Sequence, residues 1–276
     1  MVERLERKSI QVFSFLKETN FHWEETFWWL IARNFGATVN SDCFEQLARS
    51  IKLNILAKHK NQIHQLEAIL FGQASLLDQS FKESYPAMLQ KEYAFYKKKY
   101  SLQKVPLNLF FLRMRPANFP TVRIAQLAML INESSHLFSK IKESNSVQEV
   151  ISMLDVTAND YWHYHYRFDE HSLFKPKKLG AEMLKNIIIN TAIPVLFAYG
   201  LHHKLEAPKT KALRWLEELK SESNAITQVY TQLGMTNDSA FDSQSWIELK
   251  NEYCNAKRCL ECAVGSAILK KEPATV

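Results

Sequence analysis

The sequence predicts an all-α protein, a multi-helical globular domain with little or no β-sheet. Only 6 of its 276 residues are glycine, far below the usual ~7%. Both β-folds and nucleotide-binding loops depend on glycine for tight turns. Apolar residues recur at helical spacing along most of the chain, and no sustained alternation of Val, Ile and Thr with turn residues is present. The hydrophobic share of 46% and the charged share of 23% are those of an ordinary globular protein.

The predicted helices begin near the amino terminus and follow one another closely. Five segments in the first hundred residues carry apolar side chains at helical spacing. Gly36 and Gly72 each stand just behind one of them, and Lys97 begins a run of three lysines that suits a helix C-terminus. The five segments are residues 5–16, 22–35, 40–51, 62–71 and 85–100.

The second half of the chain continues the pattern after a less regular stretch. Three prolines punctuate residues 101–121, and residues 156–180 are predicted to form a loop because they show no clear period. Pro194 lies inside a strongly apolar segment and predicts a kink. The predicted helices are residues 121–132, two short ones within 134–155, then 181–202, 209–219, 224–233, 243–253 and 259–271. We expect a single helical domain of residues 1–276, in which residues 101–121 are the candidate junction between two lobes.

Charge and local composition bear on partners and location. The 35 basic and 29 acidic residues leave a formal charge of +6, which indicates either a phosphate-bearing partner or an ordinary basic surface. The first residues lack the apolar segment of a signal peptide, and the longest apolar run is too short and too interrupted to span a membrane. The four cysteines do not resemble a secreted disulfide framework. We therefore expect a cytoplasmic protein with no membrane partner.

A first candidate site surrounds the predicted start of a helix near residue 121. Two prolines flank Asn118 and stiffen the backbone there, while Arg123 falls in or near the first helical turn, where a cation opposes the helix dipole. A negative group should compensate, either an internal carboxylate or a bound anion such as phosphate. The candidate anion-binding or nucleic-acid-binding residues are Arg113, Arg115, Asn118, Arg123 and Gln126.

A second candidate site is a cysteine cluster near the carboxyl terminus. Cys254, Cys259 and Cys262 have the spacing C-x4-C-x2-C, and two basic residues between them favour thiolates. Three thiolates with His165 as a fourth ligand would hold zinc or an iron–sulfur cluster. The alternative is a turn of reduced, structural cysteines with no metal. Cys43, His163, His202 and His203 are also candidates for the fourth ligand.

A third segment, residues 161–168, reads YWHYHYRF. Interleaved aromatic and cationic side chains can stack on single-stranded bases, but aromatic segments of this kind also pack in protein cores. No standard catalytic motif is present: the chain contains no G-x-S-x-G, H-E-x-x-H, G-x-G-x-x-G or phosphate-binding P-loop sequence. The sequence therefore identifies no catalytic residue.

Several blocks resemble an uncharacterised bacterial family, the domain of unknown function DUF2851. The central block is RPANFP at residues 115–120 followed by RIAQLA at residues 123–128, and further blocks occur in the same order at residues 70–74, 190–194 and 253–265. The resemblance implies that full-length members carry an additional amino-terminal half similar to the PD-(D/E)XK nuclease-like fold. By this resemblance the chain corresponds to the helical carboxyl-terminal part, without the nuclease-like residues.

Three functional hypotheses follow. The first is an accessory helical module that supports a nuclease-like partner half or presents nucleic acid to it, through basic residues such as Arg113, Arg115 and Arg123. The second is a metalloprotein that holds zinc or an iron–sulfur cluster at its cysteines. The third is an interaction scaffold with no site of its own.

Overall fold

The computed structural model describes residues 1–112 and 114–270 and confirms the all-α prediction. Helices account for most of the described residues, and the strands within that part of the chain are two short ones, β1 (His165–Arg167) and β2 (Glu170–His171). They pair antiparallel as a small ribbon inside the segment predicted to be a loop. This ribbon, the short helix before it and a six-residue helix at Leu53–Lys58 are the main additions to the secondary structure predicted from sequence.

The helices lie close to their predicted positions. The largest differences are a 3-10 turn at Pro116–Asn118, a π-helical segment at Leu249–Cys254 and a 3-10 turn at Cys259–Glu261. The helices are α1 (Val2–Glu18), α2 (Trp23–Phe35), α3 (Ala37–Arg49), α4 (Leu53–Lys58), α5 (Ile63–Gln73), α6 (Ser84–Lys99), α7 (Pro120–Glu133), α8 (Leu137–Glu143), α9 (Val147–Leu154), α10 (Asp160–His163), α11 (Ala181–Ile187), α12 (Ile193–His203), α13 (Glu206–Glu218), α14 (Ala225–Gln232), α15 (Ala240–Glu248) and α16 (Ala263–Lys270).

The chain divides into two compact units. One comprises residues 11–196, and the other comprises residues 1–10 together with the chain from residue 197 onward. Residues 101–121, the candidate lobe junction, lie inside the first of these units. The expectation of one domain with a junction at those residues stays a prediction.

The core of the 11–196 unit is organised around α5. Five of its consecutive residues, from Leu66 to Leu70 with Glu67 among them, are fully buried, so this helix has no solvated face over that stretch. Gly72 lies within α5 rather than behind it, and a Cβ added there would lie 2.1 Å from the Tyr93 ring on α6. The glycine is needed for this close approach between two helices, not as a helix stop.

The apolar segment from residue 181 to residue 203 is a buried helix interrupted by a π-helical turn. Helix α11 runs into a π segment at Ile188–Ala192, and α12 follows directly. Pro194 cannot donate a backbone hydrogen bond to the carbonyl four residues earlier, and widening of the preceding turn accommodates this loss. By length and composition this helix could cross a membrane, but 72% of its apolar window is buried within the protein, as in a core helix.

Candidate functional site

Helix α7 positions the first candidate site. It opens with Pro120, which has no backbone N–H, and no side chain caps its first turn. Eleven of its fourteen residues are buried, Arg123 and Gln126 among them. The 3-10 turn at Pro116–Asn118 leads the chain from exposed positions directly to the start of this buried helix. The polar side chains of Arg123 and Gln126 are therefore surrounded by other protein groups and not by solvent.

Arg123 is the central residue of the site. Its side chain donates from Nη1 to Gln126 Oε1, on the next turn of the helix, at 2.9 Å and from Nη2 to Asn118 Oδ1, ahead of the helix, at 2.6 Å. Only 8% of the residue is exposed, and its Nε has no partner among the described residues. Three of the predicted residues, Asn118, Arg123 and Gln126, thus form one hydrogen-bonded group.

The guanidinium of Arg123 has no carboxylate against it within the described part of the chain. Both hydrogen-bond acceptors are neutral amide oxygens. Burial lowers the pKa of Arg123 to about 10, and no neighbouring acid raises it again. Of the two compensating groups expected from sequence, the internal carboxylate is therefore not found at this arginine. A buried cation without a counter-charge costs free energy that a bound anion would recover.

A second cation, Lys177, completes the group and was not anticipated from sequence. The Gln126 side chain donates to the Lys177 backbone oxygen at 3.0 Å. The Lys177 ammonium donates to the backbone oxygens of His163 and Lys175 and lies 3.9 Å from the centre of the Tyr166 ring. Burial, helped by the nearby charge of Lys175, lowers the pKa of Lys177. Only 4% of Lys177 is exposed, so a second buried cation belongs to a residue whose backbone is held by Gln126.

Arg167 adds a third cation, the second guanidinium, near the start of α7. It lies between the rings of Phe111 and Phe119, 4.8 and 5.0 Å from their centres, and its Nε has no partner among the described residues. Arg167 also forms an ion pair with Glu170, with 3.5 Å between Nη1 and Oε1. A cleft of about 480 Å³ lies beside this end of the helix, and Thr121 and Arg167 line it together with Asp78 and Glu170, whereas Arg123 does not. This cleft is large enough for a phosphate group.

The two other predicted residues, Arg113 and Arg115, are not part of this hydrogen-bonded group as far as the structure describes them. Arg115 is exposed and lies in extended backbone just before the 3-10 turn. Arg113 lies outside the described residues. The anion-binding prediction therefore rests on Asn118, Arg123 and Gln126, with Arg115 at the surface.

The predicted metal ligands are not assembled into a metal site. The described residues contain no group of three or more His, Cys, Asp or Glu side chains placed to hold a metal ion. Cys254 and Cys259 are exposed whereas Cys262 is buried, and the nearest polar partner of the Cys254 sulfur is the Tyr230 hydroxyl at 3.8 Å. Zinc or iron–sulfur binding by these cysteines stays a prediction, which elemental analysis of the purified protein would test.

His165, the preferred fourth ligand, is engaged elsewhere. Its Nδ1 lies 2.8 Å from the Tyr161 backbone oxygen and its Nε2 lies 3.0 Å from Glu83 Oε1. Its ring stacks on Tyr161 with 4.0 Å between centres. Both ring nitrogens face oxygen acceptors, so neither has a lone pair directed at an open position.

A buried carboxylate network lies next to this histidine and also escaped sequence analysis. Glu67 on α5 is fully buried and accepts three hydrogen bonds: from the Tyr85 hydroxyl at 2.8 Å, from Asn159 Nδ2 at 2.6 Å and from Trp162 Nε1 at 3.1 Å. No cation faces it. Burial raises the pKa of Glu67 to about 7 although all three hydrogen bonds oppose the shift. The aromatic segment 161–168 is thus tied into the core through Trp162 rather than displayed for base stacking.

Comparison with known proteins gives one family. No curated protein and no solved structure is significantly similar to this chain. The family described as "Protein of unknown function (DUF2851)" matches residues 1–225. The match includes the α7 site and ends before Cys254, so the block at residues 253–265 falls outside it. Since the match covers most of the 276 residues, the chain belongs to the DUF2851 family.

Proposed function

We propose that this chain is a phosphate-binding helical module whose α7 site holds the backbone of a nucleic acid. The observation that carries the proposal is the Arg123 guanidinium, buried with no carboxylate partner among the described residues. Arginine is well suited to phosphate because its planar fork matches two phosphate oxygens at once. A phosphate would supply the counter-charge that the fold itself does not.

The surroundings of Arg123 support a phosphodiester rather than a carboxylate metabolite. Lys177 lies on the opposite side of Gln126, Arg167 stands at the same end of α7, and Arg115 is exposed just ahead of the 3-10 turn. Cations at more than one position near this end of α7 suit a ligand with repeated negative charge. The uncapped first turn of α7 adds backbone dipoles of the same sign.

The family resemblance suggests the partner. If longer relatives carry a nuclease-like amino-terminal half, this module would hold the nucleic acid that the half acts on, or support that half directly. The nucleic acid and the nuclease-like half are both proposed partners, and a cytoplasmic location is part of the same proposal. The described residues contain no catalytic constellation of their own, so the role proposed is binding and positioning.

The experiment is a fluorescence anisotropy titration with labelled single-stranded and duplex oligonucleotides. Arg123→Gln should weaken binding by roughly tenfold, since it removes charge-assisted hydrogen bonds to phosphate. It should also reduce the slope of log K against log salt by about one. Arg214→Gln is the matched control: it removes the same charge from an arginine on α13 that pairs with Glu218. Equal losses in the two variants, or no binding by the unaltered protein, would overturn the proposal.

A further inference from the structure

An extended segment lies between α6 and the 3-10 turn. Residues 104–111 belong to no helix or strand, and along them exposed positions alternate with half-buried ones. Alternation with a period of two is the pattern of an extended strand that lies with one face on the protein. The segment therefore has the form of a β-strand, although no other strand pairs with it in the described part of the chain.

One edge of this 104–111 segment is held by side chains of α3. The buried Asn40 amide accepts from the Phe110 backbone nitrogen at 2.8 Å and donates to the Phe110 backbone oxygen at 3.0 Å. The Cys43 thiol donates to the Asn108 backbone oxygen at 3.4 Å. Asn108 and Phe110 are two residues apart, so their backbone groups point to the same edge of an extended strand. Side chains of α3 thus take the place of a neighbouring strand at that edge.

The opposite edge of the segment has no partner. In an extended strand the backbone groups of Leu107, Leu109 and Phe111 point away from those of Asn108 and Phe110. None of these three residues has a backbone hydrogen bond to another described residue. Their side chains are half-buried and fix the segment on the protein, whereas their N–H and C=O groups stay unpaired. An unpaired strand edge of this kind is a template for another strand.

There is room beside the segment on the side that α3 does not occupy. Phe111 lines the cleft of about 480 Å³ described above, together with residues that follow α5, with the start of α7 and with the β1–β2 ribbon. No residue of α3 lines this cleft. The outer face is apolar at one end, where 54% of Phe110 and 81% of Leu112 is exposed. Apolar side chains of an added strand would pack beside these two residues.

The charge around the segment favours an acidic partner. Residues 93–132 contain seven basic residues and no acidic one. The acids of neighbouring elements are already paired: Asp78 with Lys104, Glu170 with an arginine of β1, and both acids of α3 with arginines. Lys104 is thereby matched at one end of the segment, whereas Arg115 is exposed beyond the other end. A second copy is disfavoured, because antiparallel self-pairing would bring Arg115 of each copy towards Lys104 of the other.

We propose that the open edge of the 104–111 segment binds an extended peptide of a partner protein by antiparallel β-strand addition. The peptide has apolar side chains at alternate positions and acidic residues at its amino end, beside Arg115. Backbone hydrogen bonds to Leu107, Leu109 and Phe111 supply the binding, while the alternate side chains and the acidic end supply selectivity. The inference goes beyond the proposed nucleic-acid site, and Arg123 takes no part in it.

The test is fluorescence anisotropy with labelled, end-blocked peptides that alternate valine and threonine. One peptide carries two glutamates at its amino end, and the other carries two lysines there. The acidic peptide should bind roughly fivefold more tightly, since each exposed charge contributes a modest share. Arg123→Gln should leave this binding unchanged, so a failure of this proposal is distinguishable from a failure of the nucleic-acid site.

N-methylated forms of the acidic peptide test the backbone contacts in the unaltered protein. One isomer is methylated on the valine nitrogens and the other on the threonine nitrogens, so each loses the donors of one strand edge. One isomer should bind at least about tenfold more weakly than the parent peptide, because it lacks the donors that face the segment. The other isomer should bind like the parent, since its methyl groups lie on the edge turned away from the protein.

A pair of variants locates the edge. Leu109→Pro should weaken peptide binding roughly tenfold, because proline removes an N–H that has no partner within the described chain. Leu109→Ala is the matched control: it shortens the same side chain but keeps the N–H, so peptide binding should stay close to that of the unaltered protein. Circular dichroism of both variants should match the unaltered chain.

Four results would overturn the proposal. They are no binding of the acidic peptide, equal binding of the acidic and basic peptides, equal losses in the two N-methylated isomers, and a dimer of the unaltered protein that Leu109→Pro dissociates. The last of these would assign the edge to a second copy of the chain. An acidic preference, with a loss in one isomer alone and in Leu109→Pro but not in Leu109→Ala, would support it.

Discussion

Replacement of Glu67 by Gln should change how the stability of the 11–196 unit depends on pH. The carboxyl is fully buried among Tyr85, Asn159 and Trp162, and burial raises its pKa to about 7 from a reference of 4.5. The folded state therefore favours the protonated form. The amide of Gln resembles that form, since Oε1 can still accept from Asn159 and Trp162 while Nε2 donates to the Tyr85 oxygen.

The magnitude follows from the pKa difference. A carboxyl whose folded pKa is raised contributes its full stability below about pH 4.5, and this contribution is lost as pH rises through about 7. A difference of about 2.5 units corresponds to about 3 kcal/mol at 1.36 kcal/mol per unit. The free energy of unfolding of Glu67→Gln, relative to the unaltered protein, should therefore rise by about 2.5 kcal/mol between pH 5 and pH 8.

The assay is urea denaturation followed by tryptophan fluorescence at closely spaced pH values. Glu6→Gln is the control, because Glu6 is exposed and its replacement should leave the pH profile parallel to that of the unaltered protein. Parallel profiles for Glu67→Gln as well would refute the reasoning. They would show that the three hydrogen bonds to the carboxylate offset its desolvation completely.

Two further predictions concern packing. Gly72→Ala should destabilise the protein by about 1–3 kcal/mol in urea denaturation, because its Cβ would overlap the Tyr93 ring. Gly180→Ala, where a Cβ meets nothing within 4 Å, should be neutral or slightly stabilising, and similar losses at both glycines would contradict the packing argument. Ile188→Asp should cost several kcal/mol or prevent folding, since Ile188 is fully buried in the π-helical turn. A thermal midpoint equal to that of the unaltered protein would contradict the buried placement.

Local sequence predicted the all-α class and most of the helices, whereas the function of the candidate site stays a prediction. The scarcity of glycine and the spacing of apolar residues sufficed for the all-α class, and α7 was predicted at 121–132 against the observed Pro120–Glu133. The position of Arg123 near a helix start predicted a compensating negative group, and in the structure its two hydrogen-bond acceptors are the amide oxygens of Gln126 and Asn118. Sequence could not decide which group compensates it, because that depends on side chains distant along the chain.

The remaining site residues are defined by long-range contacts. Lys177 meets Gln126 across 51 positions, and Glu67 meets Asn159 across 92. In the sequence Lys177 and Glu67 are ordinary charged residues. Lys177 lies in a segment without periodicity, and Glu67 lies on a predicted helix. Their burial is a property of the tertiary fold. One signal in the sequence could have indicated the burial of Glu67. It is a single acid within an apolar run, next to Leu66, Ala68 and Ile69, and all three of these neighbours are buried.

The most direct test of the anion site is the stability of the protein in phosphate against chloride at equal ionic strength. A ligand bound by the folded state alone adds about 1.4 kcal/mol at ten times its Kd. The unaltered protein should gain stability of this order as phosphate replaces chloride, and Arg123→Gln should gain none. An equal gain in both proteins, or no gain in the unaltered one, would contradict the account of Arg123 as a buried cation that binds an anion.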